Sequence, residues 1–591
     1  MSKKINTEWN LSQLYKSPDD SQIEKDLVRA EKAHAAFAYK YKKSNLYLKN
    51  ESALKKALQE YERLADTTNF SGGFYLGLLQ TKDSSNQKVI AKANLISQRM
   101  QRIGNLVMFF EINISKIPTH IQKKFLVSKD LFRFRYLLKK SFETGKYVLT
   151  EPEEKILSLK SLPSHSLWVD FVGKLVSKQT VTHKGKEISV SEANYLIPNL
   201  PTQKERKELH NQIVEKYWAI ADSAESEINA IVIDKKINDE LRGFTESYDA
   251  TIQGYDNDKK SVLNLVRTVT ENFHVSQRFY NLKAKMLKLK RLSYADRGAQ
   301  VGKTNQKITF GKSYEDLCRI FTSVEPEFGS ILKRFVVNKQ IDAYPKVGKR
   351  GGAFCASHHK APTFILLNHV DTLDSLMTFG HEMGHAIHSE FSKSQPVFYQ
   401  DYSMSTAEVA STLFESFVFY DQLEKLTEKE KIVALHDKIQ DDIATIFRQI
   451  ACFNFEAEMH KTIREKGNMS KEELASCMNR HMKSYLGNVE LTDKDGYFFV
   501  SWMHLRTFFY VYSYAFGQLA SKAIYKKYQE NPAYIKEIKK FMSLGCSMSP
   551  EDIFKSIGVD VKKPDFWKKG LESIEEDITL LESLVNKPKK K

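Results

Sequence analysis

The chain has 591 residues, of which 41 % are hydrophobic and 28 % charged, and a formal net charge of +17. With only 25 Gly and 14 Pro it excludes a turn-rich β-protein and favours long helices around a sizeable core. Its 90 basic residues are interleaved with 73 acidic ones, which reads as a Lys-rich solvated surface and not as a nucleic-acid interface.

In chain order, residues 20 to 145 repeat apolar positions at intervals of three and four with almost no Pro or Gly. They predict stacked antiparallel helices. A looser stretch containing "QTVTHKGKEISVSE" has strand or loop character. Pro198 and Pro201 then break the chain before a new helix, which Thr202 and Glu205 start as a capping box. This boundary divides an N-terminal helical lobe, 1–200, from a second domain, 201–591. Between 300 and 370, "KITF", "GGAFCAS" and "APTFILLNH" predict a small sheet just before a helix over about 372–391. Helical periodicity then runs almost to the end, and Ser549-Pro550 is a further helix start, with Ser at the cap and Pro at the first position. The closing "NKPKKK" is the one purely basic run.

No segment reaches 18 consecutive apolar residues, so no membrane span is expected. Cys318, Cys355, Cys452, Cys477 and Cys546 are scattered, odd in number and free of any C-x-x-C. They read as free thiols in a reducing compartment. The opening "MSKKINTEWN" has no signal-peptide core, and a cytoplasmic protein is the expectation.

The chemistry concentrates in "TFGHEMGHAIHSEF", residues 378 to 391. On a helix, His381 and His385 lie on one face about 6 Å apart along the axis and can point at one ion, with Glu382 beside it. This is H-E-x-x-H, in which two imidazoles hold zinc and the glutamate serves as general base on a zinc-bound water. The composition produces the pattern by accident only about 0.03 times in a chain of this length, so its presence points to chemistry. A catalytic zinc takes a third protein ligand. His388 is too far along the same helix, roughly 10 Å from His381, and reads as a group behind the ligands or on the substrate side. Glu408 and Glu415 form a stripe in "STAEVASTLFESFVF". From spacing alone Glu408 is either the missing ligand or part of a solvent-facing acidic stripe. Glu415 can hold the Nδ1–H of a metal histidine.

H-E-M-G-H-A-I-H followed by "AEVASTLFE" resembles the oligoendopeptidase F branch of the thimet oligopeptidase family of zinc metallopeptidases. The resemblance extends over nearly the whole chain, through "WNLSQLY", "LRGF", "DATI", "GKRGGAFC", "MHLRTFFYVYSYAFGQLA" and "PDFWKKGL". It implies a mainly α, two-lobed helical shell around a deep catalytic channel, with a small β-sheet beside the H-E-x-x-H helix. It also implies one zinc held by His381, His385 and Glu408, with Glu382 as base and short unfolded peptides as substrates. His504 and a nearby tyrosine would donate to the developing oxyanion. Tyr512 is the expected donor, with Tyr510 on the substrate side, although Tyr510 to Tyr514 also alternates like a half-buried strand. If the segment is helical, His504, Phe508, Val511, Tyr512 and Ala515 share a face.

Gly351 and Gly352 would let a substrate backbone approach as an added strand, or else form a simple turn. His358 and His359 sit in the following turn, either on the substrate side or merely exposed. Zinc-dependent hydrolysis of internal bonds in short peptides is the leading reading, by a monomer with neither nucleic acid nor membrane as partner. A related zinc carboxypeptidase and a non-catalytic helical scaffold are the alternatives.

Overall fold

The computed structural model describes residues 5–67, 70–303, 306–359 and 361–587, so the end of the basic C-terminal run lies outside the described residues. Among the described residues the protein is mainly helical, with two small sheets. Two compact units are each assembled from three separate stretches: Met1–Tyr147, Gln306–Asp421 and Asn531–Ile557 in the first, and Val148–Asn305, Gln422–Glu530 and Gly558–Lys591 in the second. Packing thus groups distant segments, whereas sequence punctuation suggested one division near residue 200. The expected local signals at that punctuation are present: Thr202 and Glu205 form the capping box of the helix Gln203–Ala219.

In the first unit, the early amphipathic pattern folds as helices including Ser21–Tyr41, Glu51–Thr67 and Gln87–Ser115. Their apolar faces meet around Phe37, Leu54, Phe110 and Phe125. The hairpin strands of the second unit are β1 (Thr180–His183) and β2 (Lys186–Ser189). The sheet of the first unit has three strands, β3 (Ile341–Asp342), β4 (Phe354–Ala356) and β5 (Phe364–Leu366), in the order β3-β5-β4. β5 runs parallel to β3 and antiparallel to β4, so β4 is an edge. "KITF" does not join this sheet. Thr309 instead caps the helix Phe310–Val324, its hydroxyl accepting from the Lys312 N–H, so a β-like tetrapeptide is spent on a helix start.

Two long-range anchors hold the sheet. The Trp9 indole N–H donates to the carbonyls of Ile365 (2.8 Å) and Gln340 (3.1 Å), tying the N-terminal segment across β5. The Lys349 ammonium is fully buried. It pairs with Asp342 at 2.7 Å and donates to the carbonyls of Tyr344 and Leu367 at 2.7 and 2.6 Å. A buried charge survives only when paired and hydrogen-bonded, and here all its donors converge on the turn that closes β3 against β5.

In the second unit, Trp567 is fully buried, donates to the Val561 carbonyl at 3.0 Å and stacks edge-on against Phe516. Among the described residues, π-turns occur at Leu162–Ser166 and Ile443–Phe447. Among the described residues no helix is long and apolar enough to cross a membrane. All five cysteines are free thiols.

Lys349→Met strands the Asp342 carboxylate without its cation. It should destabilise the first unit by about 3–5 kcal/mol, read as a lower urea midpoint in equilibrium unfolding.

Candidate metal centre and surrounding groups

The H-E-x-x-H sequence lies on the helix Leu373–Ser392, close to the expected span, with Thr372 as its N-cap accepting from the Ser375 N–H. A second helix, Met404–Lys425, passes it at Gly384. A Cβ at that position would lie 2.7 Å from Ser411 Cα and 3.0 Å from the Ala410 carbonyl oxygen, so the two backbones approach as only glycine permits.

This crossing brings Glu408 to both histidines. Glu408 Oε2 lies 3.4 Å from His381 Nε2 and 3.5 Å from His385 Nε2. Those separations are long for charge-assisted hydrogen bonds. They match the edge of a tetrahedron: two donors each 2.0–2.1 Å from one ion stand about 3.4 Å apart. The donor atoms of His381, His385 and Glu408 all lie within 4.8 Å of one another. Two imidazoles and one carboxylate form a zinc-type donor set, and the three residues fit such an ion.

The surroundings orient these donors. Glu415 Oε2 lies 3.2 Å from His381 Nδ1, leaving Nε2 turned to the shared point. The Ser411 hydroxyl donates to Glu408 Oε2 at 2.9 Å. Burial opposes charge on His381, yet Glu408 and Glu415 together hold it up at about 10. Burial likewise opposes charge on Glu408, but the two histidines pull its carboxyl well below the usual carboxylate range. The cluster is strongly cation-seeking.

Glu382 is 7 % exposed, and its Oε2 has no hydrogen-bond partner among the described residues. Burial raises its pKa, partly offset by the neighbouring histidines and by the Cys355 N–H of edge strand β4. It is a buried carboxylate beside the donor cluster with one oxygen uncommitted. His388 does not join the cluster. It is buried and stacked on Tyr402 with ring centroids 4.0 Å apart, and burial pushes its pKa down to about 3. Gly351 and Gly352 are exposed at the turn into β4. Gly352 has φ +76°, and Asn368 Nδ2 donates to the carbonyls of Arg350 and Gly352. His358 stacks on Phe74, and burial lowers its pKa to about 4.

The second unit carries the aromatic segment, which is neither a strand nor one continuous helix. A 3-10 turn, Met503–Arg506, is followed by two consecutive left-handed residues, Phe508 (φ 49°) and Phe509 (φ 57°), before the helix Tyr512–Glu530. For bulky side chains that backbone is strained and must be held from outside. Thr251 donates to the Phe508 carbonyl at 2.9 Å, and the Phe509 N–H donates to the buried Glu456 at 2.7 Å.

The break decides which tyrosine is accessible. Tyr512 is fully buried and its hydroxyl donates to Asn257 Oδ1 at 2.9 Å, which corrects the expectation that it faces a reacting group. Tyr510, His504 and Tyr514 are half-buried. The Tyr510 hydroxyl shares hydrogen bonds with His504 Nδ1 and with the Tyr514 hydroxyl. Burial and the charge of Arg448 lower the His504 pKa. Asn257 and Glu456 carry no motif in the sequence, and Thr251 lies in "DATI" without any sign there of its role, since each acts through a contact with a distant segment.

Helical architecture and this donor set together define the class of metal-dependent hydrolase that carries its site on an H-E-x-x-H helix. Residues 197–573 match the peptidase family M3 profile and residues 113–178 that of oligopeptidase F. The chain belongs to peptidase family M3, in agreement with the oligoendopeptidase F resemblance read from its motifs. An oligoendopeptidase F homolog of Borreliella burgdorferi is 28 % identical, covering 94 % of this chain and 95 % of its own. Oligopeptidase PepF of Bacillus subtilis is 24 % identical, covering 90 % and 79 %. The crystal structure of oligoendopeptidase-F from Enterococcus faecium shares the fold, with a TM-score of 0.69 at 18 % identity over 96 % of this chain and 98 % of that one. A Chlamydophila abortus structure reaches 0.87 at 21 % identity, over 98 % of both.

Gly384→Ala must push the two helices apart. It should weaken metal binding by these three residues at least tenfold in a chelator competition while far-UV circular dichroism stays unchanged. A second expectation concerns Glu456, whose burial pushes its pKa from 4.5 to about 8. Between those values the folded chain keeps a proton that the unfolded chain has released, so stability falls as pH rises through the window. Glu456→Gln still accepts from Phe509, and its unfolding midpoint should lose that part of the pH dependence.

Proposed function

We propose that the protein is a zinc-dependent oligoendopeptidase that hydrolyses internal bonds of short, unfolded peptides. The observation carrying this reading is the tetrahedral-edge spacing of His381, His385 and Glu408 beside a buried Glu382 with a free carboxylate oxygen. When bound by these three residues, zinc lowers the pKa of water to about 7 and polarises a carbonyl.

Glu382 accepts the proton of the attacking water and passes it to the leaving amine. Its burial restricts access to chains whose backbone can be drawn out, which favours unfolded peptides over folded proteins. β4, as an edge strand next to Glu382, presents an outward backbone edge for an extended substrate, apart from the Cys355 N–H, which Glu382 holds. Glu415 and Ser411 keep His381 and Glu408 in register. We assign the donor role for developing negative charge to Tyr510, backed by His504, because the Tyr512 hydroxyl is spent on Asn257.

The test is metal analysis of the purified protein alongside cleavage of an internally quenched peptide. One zinc per chain, loss of cleavage with chelator and recovery on adding zinc are expected. Glu382→Gln should keep its metal and lose nearly all turnover, and Tyr510→Phe should lower kcat about 10²-fold with little change in KM. Chelator-insensitive cleavage would overturn the reading, and release of single C-terminal residues would replace it with a carboxypeptidase.

A further inference from the structure

Within the second unit, a cavity of about 200 Å³ is lined by two guanidinium groups, those of Arg297 and Arg448, together with Tyr280, Tyr485 and His210. Neither arginine has a carboxylate partner among the described residues. Arg297 donates to the Tyr294 carbonyl at 2.9 Å and lies over the Tyr294 ring, and the Arg448 guanidinium has no hydrogen-bond or ion-pair partner among the described residues, its backbone N–H alone being spent on the Ile443 carbonyl. The neighbouring carboxylates are already committed. Asp296 pairs with Arg206 at 2.7 Å and Asp495 with His210 at 2.6 Å, while Asp441 on the rim is exposed and has a partner of its own. Behind the lining, the buried Lys283 amine donates to the Arg297 carbonyl and to Gln440, and burial pushes its pKa down to about 7, so the fixed positive charge of this wall comes from the two arginines.

Half-buried cations without counter-charges are costly, and a chain under no other demand would pair them. The backbone here is also irregular. Arg448 directly follows the π-turn Ile443–Phe447, a local widening of the helix that re-aims the side chains around it. The volume equals that of about seven waters at 30 Å³ each, enough for a small oxyanion and its first waters.

We propose that this cavity is an anion site, in which the forks of Arg448 and Arg297 grip a single carboxylate or phosphate group. The site uses none of the metal donors. It nevertheless bears on the tyrosine segment, because the charge of Arg448 is felt at His504, and an anion on Arg448 would reduce it. Binding can be read without turnover, so its outcome is independent of the peptidase reading.

The experiment is calorimetric titration of the full-length, metal-loaded protein with inorganic phosphate, and with N-acetylglycine against its amide, in chloride buffer of matched ionic strength. Saturable binding of phosphate or N-acetylglycine but not of N-acetylglycinamide is expected, with Kd raised at least tenfold in Arg448→Met. Arg297→Gln serves as the second variant should Arg448→Met fold poorly. Tighter phosphate identifies a free inorganic ion as the ligand, and tighter N-acetylglycine a carboxylate such as a peptide terminus. Absence of saturable binding overturns the proposal. So does binding of equal strength in wild type and both variants, which would place the anion on the metal or elsewhere.

Discussion

The contact on which the candidate site depends is the crossing of the helices Leu373–Ser392 and Met404–Lys425 at Gly384. One helix can align two imidazoles but cannot supply a third donor at the same point, because its own next residues on that face lie a turn or more away. The third donor must come from another element, and its reach is set by how closely the backbones approach. Without a Cβ at 384 the second helix can bring Ser411, Ala410 and Phe414 up against the glycine, and Glu408 arrives within 3.5 Å of both ring nitrogens. Ser411 shows the economy of the arrangement: its Cα is the close neighbour of Gly384 and its hydroxyl holds Glu408.

The sheet of the first unit serves the same site from the other side. β4 is short and lies at an edge, so the Cys355 N–H is free to face Glu382 instead of a neighbouring strand. Three strands of two or three residues could not hold that position alone. Trp9 and Lys349 do so through buried hydrogen bonds to the carbonyls of β3, β5 and their turns. Trp9 is therefore a structural part of a site more than 350 residues further on.

In the second unit the controlling feature is backbone strain. Phe508 and Phe509 adopt a conformation that bulky residues avoid, and the break separates Tyr510 from the helix that buries Tyr512. Thr251 and Glu456 hold the break in place, and both lie on other helices. The cost of two left-handed phenylalanines is met by tertiary hydrogen bonds, which places an accessible tyrosine hydroxyl against His504.

Much of this was legible in the sequence where the signal is local. Periodicity marked the helices, Thr202, Glu205 and Ser549 marked their starts, and the spacing of His381, Glu382 and His385 marked the chemistry, because all depend on residues within two turns of one another. Position 408 became a ligand only through resemblance, and the geometry that supports it is a crossing that no local pattern encodes. "KITF" misled, and Tyr510 to Tyr514 stayed open between strand and helix, for one reason: short β-like runs have no structure of their own, and a cap at Thr309 or a strained turn at Phe508 decides them from outside. The pairing of Tyr512 with Asn257, the isolation of Arg448 and the grouping of three distant stretches into each unit were decided by tertiary structure alone, since each joins or separates residues far apart in the chain.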